Sequence, residues 1–150
     1  MSRKRRRSKN IESADVGLVK DIVWQKSLKK SLQDRDIAFL CSIRESLNEK
    51  ISGLTETFNK KSRYFGYWTG TDKDRVYIYI QKEDLRIDLL ISRDFEEEIR
   101  QEDEDFEVHH VNNYQGRAKD RWLTGWYVPY STKNINVVVK YILKAFEGNP

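Results

Sequence analysis

Residues 76–91 read VYIYIQKEDLRIDLLI, and the alternation in this stretch decides the fold. Val76, Ile78 and Ile80 interleave with Tyr77, Tyr79 and Gln81. After the polar QKED, Leu85, Ile87, Leu89 and Ile91 interleave with Arg86, Asp88 and Leu90. A period of two sends successive side chains to opposite faces of an extended chain, so the stretch predicts two strands joined by a loop at 81–84. That loop sets Ile80 opposite Leu85, Ile78 opposite Ile87 and Val76 opposite Leu89. On the other face it pairs Tyr79 with Arg86 and Tyr77 with Asp88. The first face is core; the second is amphipathic.

Working outward, the same period predicts strands at 54–59, 63–69, 106–111 and 122–128, with Gly70 in a turn. The stretch NNYQGRAKD carries the Asn and Gly chemistry of a loop between the last two. Helical spacing governs the ends of the chain. In 15–32, Asp15 is placed to cap a helix whose stripe is Val16, Val19, Ile22, Val23 and Leu28. In 36–51, with Asp36 as the cap, the buried stripe is Ile37, Leu40, Cys41, Ile43, Leu47 and Ile51, and Gly53 marks the exit. A short exposed acidic helix follows at 94–104, with Asp94 as its cap and Phe95 and Ile99 turned inward. Pro129 ends the last strand, and Ser131 or Thr132 starts a closing helix with the stripe Ile135, Val138, Val139, Ile142, Leu143 and Phe146. The expected fold class is α+β: a meander-like antiparallel sheet flanked by two N-terminal helices and one C-terminal helix. Residues 13–150 then form a single domain, and residues 1–12 a disordered basic tail.

Charge is segregated. Residues 1–10 hold six basic side chains and no acid, so the remaining chain carries 22 basic against 24 acidic residues. Residues 94–107 hold nine acids and one arginine, while residues 108–150 hold six basic residues and two acids. The tail reads either as a solubilising terminus or as an arm for a polyanion. The acidic stretch reads as a solvated face, with a site for the tail as the alternative. A single cysteine, Cys41, excludes an intramolecular disulfide and fits a reducing cytosol. No apolar run approaches the roughly 20 residues of a membrane span, so no membrane partner is expected.

Catalytic motifs are not apparent. A PD-(D/E)xK nuclease needs an acid two positions before a lysine, so that both point at one metal-bound water. No lysine here has Asp or Glu at that spacing. His109 and His110 are the sole histidines, and neighbours on a strand point to opposite faces, so they cannot chelate one ion. The carboxylates of 94–107 lack calcium-loop spacing, GYWTGTD lacks the phosphate-loop lysine, and no nucleophile elbow occurs. The chain is therefore read as non-enzymatic, with neither metal nor cofactor.

Residues about 56–147 resemble the small uncharacterised domains called "predicted transport protein", which are in turn similar to the double-wing MmcQ/YjbR-like group. The carrying stretches are KKSRYFGY (60–67), VYIYIQKEDLRIDLLIS (76–92), RWLTGW (121–126) and VVKYILKAFEG (138–148). The resemblance implies an antiparallel sheet flanked by helices. It also implies a module found alone or beside nucleases and other nucleic-acid-acting domains, and it brings no catalytic motif.

Two functions follow as expectations. The first is a nucleic-acid-binding or nucleic-acid-associated accessory protein, meeting DNA or RNA through Arg3, Lys4, Arg5, Arg6, Arg7, Lys60, Lys61, Arg63, Arg117, Lys119 and Arg121. The second is a protein-interaction or small-ligand module, with a partner such as a nuclease, lined by Tyr64, Trp68, Tyr77, Tyr79 and Arg86. The bland expectation for those rings is packing beneath a helix. In GRAKDRWLTGW (116–126), alternation puts Trp122, Thr124, Trp126 and Val128 on one strand face and Leu123, Gly125 and Tyr127 on the other. The tryptophans are then sheet packing, with a basic loop attached.

Overall fold

The computed structural model describes residues 11–13, 19, 21–70, 72–92, 94–110 and 122–147. Seven strands form one antiparallel sheet: β1 (Ile11–Ser13), β2 (Leu54–Asn59), β3 (Tyr64–Thr69), β4 (Asp72–Ile80), β5 (Asp84–Leu90), β6 (Glu107–His110) and β7 (Trp122–Pro129). Four helices accompany them: α1 (Asp21–Leu28), α2 (Asp34–Lys50), α3 (Phe95–Glu102) and α4 (Ile135–Glu147). The fold is α+β. Strand order is β1-β2-β3-β4-β5-β7-β6, a meander through β5 whose last two strands exchange places. The β4–β5 register is the one that alternation predicts, with Ile80 opposite Leu85, Ile78 opposite Ile87 and Tyr79 opposite Arg86.

The apolar face of the sheet carries Phe58, Phe65, Tyr67, Ile78, Ile87, Trp126 and Val128, each at most 1% exposed. All four helices lie on this side. Trp24 of α1 meets Phe65 edge-on at 5.4 Å. Tyr141 of α4 meets Trp126 edge-on at 5.8 Å. Arg44 of α2 reaches Glu56 in β2. Ile99 of α3 is fully buried. The closing helix buries Val138, Val139, Tyr141, Ile142 and Ala145, as its 3.6-residue stripe requires. Arg75 donates from Nη1 to the Ala145 carbonyl at 3.1 Å, placing a cation at the negative end of that helix.

Several boundaries depart from the sequence reading. Strand β1 occupies Ile11–Ser13, across the expected tail boundary at residue 12, and pairs with β2. The expected helix over 15–32 is shorter, beginning at Asp21, and its proposed cap Asp15 lies outside the described residues. Val19 cannot be helical, because side chains take both of its backbone groups. Its N–H donates to Glu56 Oε1 (3.0 Å), and its carbonyl accepts from Arg44 Nη2 (2.9 Å). Helix α2 starts at Asp34, so Asp36 sits in its first turn rather than at its cap. A 3-10 turn at Thr132–Asn134 precedes α4, and the Ser131 side chain caps nothing.

A β-bulge in β7 changes the reading of RWLTGW. Gly125 has φ +69°, a left-handed conformation that glycine enters without steric cost. Between Trp126 and Leu123, β7 spends three residue steps where β5 spends two, from Ile87 to Leu89. The register therefore shifts. Leu123 pairs with Leu89 and Trp122 with Leu90, one step out of the register that strict alternation from Trp126 would give. The extra residue also frees the Gly125 N–H, which donates to Asp88 Oδ1 at 3.1 Å.

Candidate functional site

The second face of the sheet is built by the alternate residues of the same strands. Register sets Asn59, Tyr64, Tyr79, Arg86, Tyr127 and Glu107 in one row across β2, β3, β4, β5, β7 and β6. The next row holds Thr57, Gly66, Tyr77 and Asp88. Trp68, opposite Thr55, extends the face toward Gly70. Among the described residues, no helix packs on this side. The described helices lie on the face of Phe65 and Ile78, one residue out of phase with these rings.

Tyr64, Tyr77 and Tyr79 are half-buried and touch one another. Tyr64 lies 5.2 Å from Tyr79 between ring centroids and 5.6 Å from Tyr77, edge-on to the latter. Gly66 lies beneath the Tyr77 ring, where a Cβ would meet it in ordinary van der Waals contact at 3.4 Å. The Arg86 guanidinium covers Tyr79 at 5.2 Å and pairs with Asp88 through Nε and Nη2, at 3.2 and 3.3 Å. Asp88 is 6% exposed. Burial pushes its carboxyl above the usual carboxylate range, while the Gly125 N–H and Arg86 oppose that rise. Asp88 is thus a structural anchor, holding the bulge and fixing Arg86 over the ring.

The two ends of the aromatic row differ in charge. Ile11 of β1 pairs with Asn59, so the root of the arginine-rich terminus lies beside the β2–β3 turn that carries Lys60 and Lys61. Lys61 is exposed and Lys60 half-buried. At the far end, Asp84 has Glu83 and Glu107 near it. Burial first, then those two charges, holds its carboxyl above the ordinary range.

Of the expected cation set, Lys60 and Lys61 stand at the corner nearest Tyr64. Arg63 does not join them. It adopts φ +56°, and its Nε and Nη2 are buried without a hydrogen bond. Its charge is near Tyr130, whose ring packs edge-on against Phe39 of α2. Arg3, Lys4, Arg5, Arg6, Arg7, Arg117, Lys119 and Arg121 lie outside the described residues. The strand ends that flank 111–121, His110 and Trp122, are at the end of the sheet opposite the Lys60–Lys61 turn. The alternative set of Tyr64, Trp68, Tyr77, Tyr79 and Arg86 falls together on the one face opposite the described helices.

Two features escaped the sequence reading. Tyr127 completes the row, which depends on β7 lying beside β5. The other is a buried cluster on the core face. Arg44 donates from Nε to Glu56 Oε2 (2.8 Å) and from Nη2 to Oε1 (2.6 Å), and Tyr67 donates to Oε2 (2.6 Å). Arg44 also lies over Trp24 at 4.7 Å and Phe65 at 5.4 Å. A signal existed, since Glu56 interrupts the inward set Leu54, Phe58 and Arg44 falls on the apolar stripe of α2.

The acidic helix finds cations within the fold. Lys140 Nζ meets Glu102 at 2.8 Å, Lys133 meets Asp103 at 3.1 Å, and the Tyr141 hydroxyl lies 2.6 Å from Glu98 and 2.8 Å from Glu102. Arg100 pairs with Glu96 and donates to the Val108 carbonyl at 2.7 Å, which blunts the edge strand β6. A cleft of about 370 Å³ between α3 and α4 is lined by these same paired groups.

Fold and site together define a class: an antiparallel sheet backed by helices on one face and bearing tyrosines and an arginine on the other. No family model matches the chain, and no curated protein and no solved structure matches it either.

Proposed function

We propose that this is a non-enzymatic nucleic-acid-binding or nucleic-acid-associated accessory protein whose contact surface includes the sheet face opposite the described helices. The observation that carries the reading is the row of Tyr64, Tyr79, Arg86 and Tyr127, which starts at the corner of Lys60, Lys61 and the root of the basic terminus. Aromatic rings accept base faces, and lysines beside them neutralise phosphates. The likeness to MmcQ/YjbR-like domains is proposed on the same element order, and it agrees with a module that works beside nucleic-acid-acting proteins.

A salt titration of oligonucleotide binding, with the full chain and with residues 1–10 deleted, tests the proposal. Each neutralised phosphate of a single strand lowers the log–log slope by about 0.7. Binding by both proteins, with a shallower slope for the deletion, is the expected result. Binding lost with the tail would confine affinity to the terminus, and no binding at low salt would remove the proposal. The sheet face equally suits a partner protein, a reading favoured if a pull-down returns one stoichiometric partner unaffected by nuclease treatment.

A further inference from the structure

We infer that the groove between α2 and α4, on the helical side of the sheet, docks an acidic amphipathic helix of a partner protein. This side lies away from the tyrosines, so the docking is independent of what those rings meet.

Three observations carry it. First, the groove has the length of a docked helix. Two adjoining clefts of about 380 Å³ each lie between the C-terminal half of α2 and α4, and share Lys50, Leu143 and Glu147. One reaches Asn136 near the start of α4, and the other runs past the end of α2 to Thr69 of β3. From Asn136 to Glu147 a helix rises about 16 Å, the length of three turns laid alongside.

Second, the floor is apolar. Leu143 and Phe146 pack half-buried against the core, so each keeps part of its surface for the groove. They stand three positions apart on α4 and therefore share a face. Val139 lines the first cleft and Ile51 the second. An amphipathic helix seats its apolar side chains in a floor of this kind at i, i+3 or i+4, and i+7.

Third, the rim is basic. Lys50, Lys140 and Lys144 line the clefts against a single acid, Glu147. Lys140 is taken by Glu102. Lys144 lies 5.5 Å from the Phe95 ring. Among the described residues, neither Lys50 nor Lys144 meets a carboxylate at ion-pair distance. An acidic partner supplies those two counter-charges, and a basic one is repelled. Two such lysines are few for a nucleic-acid backbone, whose affinity grows with the number of phosphates neutralised. A second copy of this chain suits the groove poorly. Its acidic helix α3 buries Ile99 and packs Phe95 against its own core, so the outer face offers carboxylates without apolar anchors.

The test pans a phage-displayed library of random peptides, about 15 residues or four turns long, against the full chain. Enriched sequences are then measured as labelled synthetic peptides by fluorescence anisotropy. The expected peptides are acidic, carry leucine or phenylalanine at helical spacing, and bind more weakly as salt is raised. Leu143→Ser and Lys50→Glu/Lys144→Glu should each bind them roughly thirtyfold more weakly, the effect of one lost interface anchor. The lysine variant alters the rim alone and repeats the comparison should Leu143→Ser fail to fold by circular dichroism. Acidic peptides that bind both variants as they bind the parent are held elsewhere, by the basic terminus for instance, and would overturn the inference. Enrichment of neutral or basic peptides, or of none, would overturn it too. Oligonucleotide binding should be the same for Lys50→Glu/Lys144→Glu as for the parent, and a loss there would reassign the groove to nucleic acid. A concentration-dependent dimer in sedimentation velocity, abolished by Leu143→Ser, would reassign it to a second copy.

Discussion

Replacing Glu56 with alanine removes the carboxylate that faces Arg44 in the core, where the two side chains are 3% and 0% exposed. An arginine left in that position keeps its charge, because its pKa lies far above neutrality. Breaking a buried pair by deleting one partner costs about 3–5 kcal/mol. The Val19 N–H and the Tyr67 hydroxyl lose their acceptor in the same step. Each such loss costs about 1–3 kcal/mol alone, but the terms share one network and do not sum. An overall loss of about 4 kcal/mol is the expected value, a large part of the 5–15 kcal/mol typical of a domain. At about 2–4 °C per kcal/mol for a chain of this size, the melting temperature should fall on the order of 10 °C. Urea unfolding followed by tryptophan emission reads it, and Trp24 reports locally because its ring lies 4.7 Å from the guanidinium. The double replacement Arg44→Met/Glu56→Leu removes both charges and should recover part of the loss. Recovery stays partial because Val19 and Tyr67 remain without partners. A loss below about 1 kcal/mol for Glu56→Ala, or a double variant as unstable as the two singles added, would refute the account of a charge-compensated core.

Other outcomes follow from the same geometry. Burial, then the neighbouring Glu56, holds the Tyr67 phenol well above its ordinary value of 10.0. The unfolded chain releases that proton near pH 10 while the folded one retains it. Stability is therefore whole below that pH and falls as pH rises past it, and Tyr67→Phe should make the fall shallower in urea midpoints taken from about pH 8 to about pH 11. Gly125→Ala places a Cβ at φ +69°, 3.3 Å from the Tyr127 ring and 3.5 Å from His109. It should cost about 1–2 kcal/mol in the same assay, and a neutral result would contradict the bulge. Asp88→Ala strands the buried Gly125 N–H and should cost about 1–3 kcal/mol. Asp88→Asn keeps an acceptor there and relieves a buried charge, so its thermal melt should lie close to that of the parent.

Local rules carried much of the fold. The β4–β5 hairpin was legible down to each cross-strand pair, because alternation and loop length together leave one register that buries the isoleucines. The α4 stripe was legible in part: Val138, Val139 and Ile142 are buried and Ile135, Leu143 and Phe146 pack half-buried against the core, while Tyr141 and Ala145, outside the expected stripe, are buried too. The reading failed where one residue broke a period. Gly125 shifted the pairing of Leu123 and Trp122 by one residue, and a bulge cannot be told from an ordinary strand glycine without the partner strand. It failed again at residues 11–13, which pair with β2, and at Val19, whose backbone groups are taken by the Arg44–Glu56 pair, partners some 25 to 48 residues away.

The sequence by itself determined which residues turn inward and which rings share a strand face, since periodicity is a property of neighbours along the chain. Tertiary structure alone decided that the helices all take the same side of the sheet, leaving Tyr64, Tyr77, Tyr79 and Arg86 on the other. It also decided that β7 enters between β5 and β6, bringing Tyr127 into the row, and that β1 pairs with β2, setting Ile11 opposite Asn59. Those outcomes depend on which long-range pairings bury the most apolar surface while satisfying every buried polar group, and no local pattern encodes that choice.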